Sequence, residues 1–506
     1  MPTRMTRLHH CALSGTAAIA VLGFGTVAPA ESNALDGVNG DEAIMVLGDR
    51  LGAVAELHGM TPGELEALFR RDATLWLTDD DRLLYVDVYP DFGAGGVPEP
   101  PAAGGDIPLE DAFILHSDPD ADRVIYLDFD GHHSVNNAWN HDIEFPPFNL
   151  GGSPFFTETE LNQIINIWRR VVEDFAPFEV DVTTEDPGVA ALTRSNPADE
   201  EYGSRCVMTQ ATDGFGDGIG GVAFLFSFDD SIDNPVFVFN KGANTASMSA
   251  SHEVGHALGL SHDGLFGQNY HPGVGTGDTG WGPIMGAPFG KNLVQWSNGD
   301  YNGATNTQND LAIIHQNCPT RADDHADTIG SATALNTECA GSLELSIDAL
   351  IETTPDVDVF SFVTAGGSVT VTAVPTTDPG ENLDVLLEVL DERGALLGSD
   401  NPVDELTASI VLSLDAGQYY ARIDGIGKPG VYSDYGSLGL YRITVSLPSC
   451  GCVGDLDGNG AVEITDFLDL LAAWGPCVGC PQDLDGDDTV GLTDFLALLA
   501  AWGPCP

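Results

Sequence analysis

The sequence predicts a multidomain chain: an α+β domain, then an all-β sandwich, then a small α-helical repeat. Three observations support this division. Residues 252–263 place histidines at helical spacing, within a region of mixed helix and strand patterns. Short alternating apolar runs separated by turn residues fill residues 323–447. Residues 455–477 match residues 483–505 at 17 of 23 positions, which indicates a tandem repeat with an offset of 28 residues.

The N-terminus has the pattern of a secretory signal at residues 1–30. Arg4 and Arg7 precede an apolar stretch at residues 12–27, and residues 28–30 form an A-x-A cleavage site. Because the apolar stretch is short and contains glycine, it favours a cleaved signal over an uncleaved N-terminal anchor. We therefore expect a secreted, extracellular protein, free or attached to the cell surface, with no membrane span after signal removal.

The charge of the chain is strongly negative. Its 18 basic and 77 acidic residues give a net charge of −59, and loss of the two signal arginines leaves 16 − 77 = −61. A nucleic acid is excluded as a natural partner, because its phosphates would be repelled. The acidity has two compatible explanations: a generally solvated surface, and acidic residues that bind calcium in specific patterns.

Eight cysteines remain once Cys11 is lost with the signal, and an even count in an exported chain indicates disulfides. They are Cys206, Cys318, Cys339, Cys450, Cys452, Cys477, Cys480 and Cys505. The sequence leaves their pairing open. Four of them, Cys452, Cys477, Cys480 and Cys505, recur at the offset of the repeat, so we expect them to cross-link the repeat.

The histidine motif at residues 252–263 reads His-Glu-Val-Gly-His-Ala-Leu-Gly-Leu-Ser-His-Asp. His252 and His256 are four positions apart, so their imidazoles share one helix face and can bind one metal ion. Gly259 permits a left-handed turn, which brings His262 back as a third ligand. Three histidines leave the fourth tetrahedral position for water, as in catalytic rather than structural zinc sites.

Glu253 follows the first histidine directly. A carboxylate in this place can take a proton from a zinc-bound water, so Glu253 is the predicted general base. The alternative is a surface helix with three solvated or core histidines. The full spacing of glutamate, glycine and third histidine makes that alternative the weaker one.

The motif and its downstream segment resemble those of metzincin metallopeptidases across residues 111–318. Asp263 follows the third histidine, as in several metzincin subfamilies, and Met285 lies 23 residues past His262, where a Met-turn is expected. The resemblance implies a Zn²⁺-dependent endopeptidase with a twisted sheet packed against two helices. Some subfamilies have a tyrosine two residues after the methionine, but here Ala287 takes that position. We therefore assign no tyrosine ligand.

Residues 31–110 form a propeptide-like N-terminal region. We expect helices at 47–57 and 61–69, a strand at 83–89, and a linker rich in Gly and Pro at 93–108. The region contains no cysteine, so a thiolate cannot be the group that blocks the zinc. A removable propeptide and a permanent support domain both agree with this pattern.

Within residues 111–318 we expect one long helix, 157–175, with a capping box of Thr157 and Glu160. Strands are expected at 124–129, 178–184 and 236–239. The acids and histidines of residues 128–133 form either an exposed turn or a metal site.

Residues 319–448 have the alternating texture of a β-sandwich. The segments 356–362, 382–385 and 417–420 resemble the bacterial pre-peptidase C-terminal domain, an accessory module of secreted peptidases. This region has no catalytic constellation, so we expect it to bind or to act as a spacer.

The tail, residues 449–506, carries two loops with the ligand rhythm of calcium sites at positions 1, 3, 5, 9 and 12. The predicted Ca²⁺ ligands are Asp455, Asp457, Asn459, Glu463, Asp466, Asp483, Asp485, Asp487 and Asp494. Position 6 is Gly460 in the first loop and Asp488 in the second, which predicts a weaker second site. The duplicated loop and helix resemble a dockerin, and the resemblance implies a cohesin-like or cell-surface partner. A calcium-stabilised tail without a partner is the alternative.

These observations predict a secreted zinc endopeptidase that acts on a protein or peptide substrate and is tethered or targeted by its C-terminal modules. An inactive extracellular adhesion or assembly protein is the alternative from another class, although Glu253 argues against it. A zinc hydrolase of a non-peptide amide is a third interpretation.

Overall fold

The computed structural model describes residues 37–88, 107–149, 155–337, 343–376, 380–448 and 453–504, apart from residues 213, 217, 241 and 458. The predicted signal, most of the predicted linker, and Cys339, Cys450, Cys452 and Cys505 lie outside the described residues. The described residues all belong to one compact unit. Among the described residues, no helix is long and apolar enough to cross a membrane.

The N-terminal region folds into three short helices and three strands. These are α1 (Gly40–Leu47), α2 (Leu51–Leu57), α3 (Pro62–Arg71), β1 (Gly37–Asn39), β2 (Leu75–Thr78) and β3 (Leu83–Asp87). The predicted helix at 47–57 is broken at Gly48, whose φ of 47° lies in left-handed space that ends a helix. The predicted capping box of Thr61 and Glu64 is confirmed at the start of α3.

An eight-stranded sheet runs through the N-terminal and central regions. The central region contributes β4, β7, β8, β9 and β10 to this sheet and forms two separate strand pairs, β5 with β6 and β11 with β12. The bounds of these strands are β4 (Arg123–Asp128), β5 (His132–Ser134), β6 (Ile143–Phe145), β7 (Asp181–Thr183), β8 (Tyr202–Met208), β9 (Gly221–Phe224), β10 (Val236–Val238), β11 (Trp281–Pro283) and β12 (Leu293–Gln295). The sheet order is β1-β2-β3-β9-β10-β8-β4-β7. Strands β7, β4, β8 and β10 are parallel, and the others continue antiparallel. The N-terminal region therefore extends the central sheet and is not a detached domain.

Two long helices pack together on the central sheet: α4 (Glu158–Phe175) and α5 (Ala243–Leu258). The predicted box of Thr157 and Glu160 caps α4, and its apolar stripe is buried as expected. The short α6 (Asp310–Ile314) follows β12. The strands predicted at 178–184 and 236–239 are shorter than expected, because their flanking residues bond to loops instead of to neighbouring strands.

The region after residue 319 is a β-sandwich-like fold with its own core. Its strands are β13 (Thr333–Ala334), β14 (Leu343–Ile351), β15 (Val357–Pro375), β16 (Val385–Leu390), β17 (Leu396–Asp400), β18 (Ala408–Gly425) and β19 (Gly439–Leu447). Strand β15 pairs with β18 along most of its length and with β19 along its second half. Gly366 and Gly367, at φ 95° and 115°, let β15 bend between these stretches.

The tail is one small unit built from both repeats. It contains β20 (Ala461–Val462), α7 (Ile464–Ala472), β21 (Gly475–Pro476), β22 (Thr489–Val490), α8 (Leu492–Ala500) and β23 (Gly503–Pro504). Each repeat pairs with the other, β20 with β23 and β21 with β22. The rings of Phe467 and Phe495 lie 5.3 Å apart between the helices.

Of the four cysteines that the structure describes after the predicted signal, two are paired. Cys477, at the end of the first repeat, forms a disulfide with Cys480, which precedes the second repeat. Cys206 and Cys318 are free and buried, contrary to the expectation of general pairing. Cys206 lies in the core of the central sheet, where its sulfur contacts that of Met208 at 3.6 Å.

Candidate metal centre

The ligand histidines are positioned by the end of α5 and the turn after it. His252 and His256 lie one helical turn apart and are fully buried. Gly259 ends the helix with φ 110°, in the left-handed space that the sequence predicts. A Cβ at Gly259 would lie 2.2 Å from the ring of Phe226, so glycine is needed for space as well as for conformation. The turn returns the buried His262 to the same place.

Each imidazole is oriented through its Nδ1 atom. His252 Nδ1 donates to the carbonyl of Ile284 at 2.8 Å, and His256 Nδ1 donates to that of Leu260 at 2.7 Å. His262 Nδ1 contacts the carboxylate of Asp72 at 2.8 Å. Such partners fix the ring orientation and turn each Nε2 towards the position that a metal would take.

The three Nε2 atoms converge on one point, together with a carboxylate. Asp87 Oδ2 lies 3.1 Å from His252 Nε2 and 3.4 Å from His256 Nε2, and Asp87 Oδ1 lies 3.1 Å from His262 Nε2. The Nε2 atoms of His256 and His262 are 3.1 Å apart. Two ligands held tetrahedrally at zinc distances would be separated by about 3.4 Å. The donor set therefore fits a zinc ion in both type and spacing.

Asp87 occupies the side of the cluster where the sequence predicts water. It is the last residue of β3 and is fully buried, and its register partner in β9 is Gly221. The hydroxyl of Tyr270 donates to Asp87 Oδ1 at 3.0 Å. Position 287 has no tyrosine, but Tyr270 contacts the cluster from a different loop.

Glu253 is fully buried against the edge of the same sheet. A Cβ at Gly221 would lie 1.9 Å from Glu253 Oε1, so glycine at this position makes room for the carboxylate. Met285 is fully buried under α5, and a Cβ at Gly255 would lie 2.6 Å from its sulfur. Met285, the predicted floor of the site, therefore packs on α5, and Glu253, the predicted base, extends from α5 towards β9.

Asp263 links the third ligand to the methionine loop through its backbone. Its amide donates to the Met285 carbonyl at 2.8 Å, and its carbonyl accepts from the amide of His271 at 2.7 Å. Burial raises the pKa of its carboxyl to about 7. Asp263 thus stabilises the segment that carries His262.

Charge within the metal-free cluster is unevenly shared. Burial lowers the pKa of His256 to about 4. Burial acts the same way on His262, but Asp87 and Asp72 outweigh it and raise the pKa of His262 to about 10. Burial would raise the pKa of Asp87, yet the charge of His262 and hydrogen bonds from all three histidines hold it well below its usual range.

A second set of contacts reaches the site from the sandwich through Asn382. Its side-chain amide donates to Asp174 Oδ1 at 2.8 Å, and its carbonyl accepts from Gln295 Nε2 at 2.6 Å. Asp174 Oδ2 accepts from the hydroxyl of Ser251, the residue before His252, at 2.5 Å. The Gln295 carbonyl in turn accepts from the amide of Ile284, whose carbonyl holds His252. The sandwich is therefore hydrogen-bonded to residues that support His252, a predicted zinc ligand.

The sequence analysis missed Asp72, Asp87, Asp174, Tyr270 and Asn382. Asp87 lies within the strand predicted at 83–89, and a carboxylate among its apolar residues was a usable signal. The other four carry no local pattern that points to the site. A metal site at residues 128–133, one of the two predicted alternatives, is disfavoured. The carboxylate of the buried Asp128 accepts a hydrogen bond from Arg205 at 2.7 Å and forms an ion pair with it.

Each tail loop brings together three of its predicted calcium ligands. Asp455, Asp457 and Asp466 form one group, and Asp483, Asp485 and Asp494 form the other. The side chains of Asn459 and Asp487 accept backbone amides within their own loops. Glu463 Oε1 accepts from Asn459 Nδ2 at 3.3 Å.

The sixth loop position is left-handed in both repeats. Gly460 has φ 86°, and Asp488 has φ 64°, a conformation that costs a non-glycine residue free energy. This agrees with the prediction that the second loop is the weaker site.

Comparisons with known proteins give only distant likenesses. No family model and no curated protein matches this chain. The chain is similar to the pre-peptidase C-terminal domain of a collagenase from Bacillus anthracis, at 11% identity over 25% of this chain and 99% of that one, with a TM-score of 0.17. It is also similar to PliG of Aeromonas hydrophila, a periplasmic inhibitor of g-type lysozyme, at 14% identity over 24% and 98%, with a TM-score of 0.18. Scores this low carry no argument about function.

Proposed function

We propose that this protein is a secreted, zinc-dependent endopeptidase whose N-terminal region covers the metal. One observation carries the proposal: three buried Nε2 atoms converge at zinc spacing beside the buried carboxylate of Glu253. Three histidines with an adjacent glutamate form a hydrolytic arrangement, and a purely structural zinc site does not require that glutamate.

The residues divide the chemistry between them. His252, His256 and His262 would hold Zn²⁺, which lowers the pKa of a bound water and polarises a peptide carbonyl. Glu253 accepts the proton of the attacking water and delivers it to the departing amine. Met285 packs below the histidines and keeps the ligand helix in place.

Asp87 has to leave before water and substrate can enter. Its carboxylate contacts all three ligand Nε2 atoms, so it takes the position that the reaction needs. Asp87 belongs to the region that the sequence interprets as propeptide-like. We therefore propose that the chain is made in a latent form, and that a cut or a movement of β3 activates it.

An inactive extracellular adhesion or assembly protein is the second candidate. The same carboxylate favours it, because three histidines and one aspartate make a closed, four-ligand zinc site of the structural kind. On this interpretation Asp87 stays in place, and zinc holds the N-terminal region to the central sheet.

The C-terminal modules fit a tethering or targeting role in either case. The two tail loops would bind Ca²⁺, and the helices that follow them expose matching apolar side chains. These are Leu468, Leu471, Trp474, Leu496, Leu499 and Trp502, between 43% and 55% exposed. Such a duplicated apolar face fits a cohesin-like or cell-surface partner.

The test is hydrolysis of a mixed peptide library by Asp87→Ala, with and without Glu253→Ala, and with bound zinc measured in both. The proposal expects zinc in both and cleavage only where Glu253 is intact. Asp79→Ala, an exposed carboxylate in the turn before β3, is the matched control and should behave as wild type. Zinc without cleavage in Asp87→Ala would favour the assembly protein, and cleavage of non-peptide amides alone would favour the third interpretation. A folded protein that binds no zinc would end the proposal.

A further inference from the structure

A buried histidine lies where the N-terminal region meets the central sheet. His58 follows the last residue of α2 and is only 8% exposed. Its ring stacks on the ring of Phe226, with 5.5 Å between the two centroids, and Phe226 lies two residues beyond the end of β9. The apolar core of the N-terminal region includes Leu225 and packs against Phe226. The contact of His58 with Phe226 therefore belongs to the interface between the two regions.

The surroundings of His58 favour the neutral ring. Neither ring nitrogen has a hydrogen-bond partner among the described residues, although buried polar atoms normally have one. Burial, followed by the positive charge of Arg82, lowers the pKa of His58, while the backbone of Asp81 acts in the opposite direction. The carboxylate of Asp81 is itself paired with Arg50. A proton on His58 would therefore be buried beside a second positive charge.

Arg82 connects the two regions at the same place. It directly precedes β3, and its guanidinium donates to Asp230 Oδ2 of the central region at 2.8 Å. Asp80, in the turn before it, lies 3.7 Å from its Nε. Arg82 and these two carboxylates set the charge that a protonated His58 would meet. Repulsion between His58 and Arg82 would act on the stacked contact and on the ion pair together.

Strand β3 joins this interface to the histidine cluster. At its first residue, the carbonyl of Leu83 accepts from the amide of Leu225 at 2.9 Å. At its last residue, Asp87 lies opposite Gly221 of β9 and contacts the three ligand histidines. Because β3 has only five residues, loss of its contacts at one end weakens its hold at the other.

We propose that protonation of His58 in mildly acidic surroundings releases β3 from β9 and so uncovers the histidine cluster. A released His58 has its ordinary pKa of 6.5, and in the docked state the pKa is lower. Docking of β3 is therefore strongest above pH 6.5 and weakens as the pH falls from 6.5 towards the docked value. One proton can shift this equilibrium by at most about tenfold per pH unit. The release does not depend on peptidase activity, but its consequence, activation of a latent enzyme by acid, rests on the proposed function.

The test is hydrogen–deuterium exchange of the full zinc-loaded chain between pH 7.5 and pH 5.0. The parent protein carries Glu253→Ala, so that it cannot cut itself. Exchange of the amides of residues 83–87, corrected for its intrinsic pH dependence, reports the opening of β3. His58→Phe keeps a ring against Phe226 but cannot bind a proton. We expect the acid-induced increase in opening to be about tenfold greater in the parent than in His58→Phe. Acid also protonates the ligand histidines, but it does so in both proteins, so the ratio isolates His58.

Two further variants make the comparison specific. His58→Gln, a second neutral side chain, should lose the acid response as His58→Phe does. His116→Gln is the control, because His116 pairs with Thr183 of β7 at the opposite edge of the sheet and should not affect β3. An equal acid response in the parent and in both His58 variants would overturn the proposal.

Hydrolysis of a peptide library by the chain with Glu253 intact, after incubation at pH 5.0, separates the two proposals. Opening that depends on His58 but brings no hydrolysis would support the acid release and contradict the peptidase.

Discussion

The N-terminal region and the sandwich both reach the histidine cluster, but they contact different parts of it. Asp87, from the N-terminal region, contacts the Nε2 atoms that face the metal position. Asn382, from the sandwich, contacts Asp174 and Gln295, which support the helix and the loop around His252. If the proposed function is right, the first contact would compete with substrate, whereas the second would hold the predicted ligands in place.

From this difference we expect the two flanking regions to have opposite effects on the same site. Loss of the Asp87 contact should open the site, and loss of the Asn382 contact should loosen it. The N-terminal region also supplies Asp72 to His262, so it supports the site as well as covering it. Removal of the whole region and removal of Asp87 alone are therefore different perturbations.

The largest effect is expected from Asp87→Ala compared with deletion of residues 31–88. The point variant should raise peptide hydrolysis by about a hundredfold over the uncut chain, equivalent to roughly 3 kcal/mol. The deletion should raise it less, because it also removes Asp72 from His262. Initial rates on one peptide, normalised to bound zinc, measure both. Equal activation by the two changes would mean that the region is a dispensable propeptide.

A smaller effect is expected from Asp72→Asn, which tests the supporting role of the N-terminal region. The variant weakens the hold on His262 Nδ1 and should lower zinc affinity by about 10- to 100-fold, the usual cost of losing such a partner. Competition with a chromogenic chelator measures the affinity. Asp41→Asn, an exposed acid of the same region, is the control. Unaltered affinity would show that Asp72 does not orient the ligand.

Asn382→Ala tests the corresponding role of the sandwich. The change leaves the buried carboxylate of Asp174 without one donor and should cost about 2 kcal/mol of unfolding free energy. Denaturant unfolding of the zinc-loaded protein measures the cost. Asn401→Ala, elsewhere in the sandwich, should cost less than about 0.5 kcal/mol. If both variants cost the same, the contact does not support the site.

The cost of Asn382→Ala should also depend on pH. Burial raises the pKa of Asp174 to about 6, even though hydrogen bonds from Ser251 and Asn382 lower it. A folded pKa above the unfolded value of 3.8 means that stability falls as pH rises towards and through 6. Loss of the Asn382 donor raises this pKa further, so the difference between variant and wild type should grow above pH 6 and shrink below it. A difference that is constant between pH 5 and 8 would contradict this.

The smallest effect is expected in the tail, because none of its residues belongs to the described histidine cluster. Asp488→Gly removes a left-handed aspartate and should stabilise the second loop by about 1 kcal/mol. Its calcium affinity should rise, while zinc content and hydrolysis stay unchanged. Calcium titration of the wild type and the variant measures the difference. A change in zinc content would show that the tail is coupled to the site after all.

Much of the candidate centre was predictable because its geometry is local. The spacing of His252, His256 and His262, the turn at Gly259 and the neighbouring Glu253 follow from one helix and the residues after it. The helix caps at Thr61 and Thr157 were predictable for the same reason. The break at Gly48 was not predicted, because a glycine within an apolar pattern can adopt either helical or left-handed backbone angles.

The sequence by itself determined the order of the regions, the grouping of the three histidines with the glutamate, and the acidic groups of the tail loops, since helix period and loop spacing act over a few residues. Only the tertiary structure decided which distant groups face the histidines. Pairing of β3 with β9 places Asp87 opposite Gly221 and therefore beside the ligands. Packing of the sandwich on α4 places Asn382 against Asp174. Such contacts depend on how whole elements pair and pack, and no local pattern encodes them.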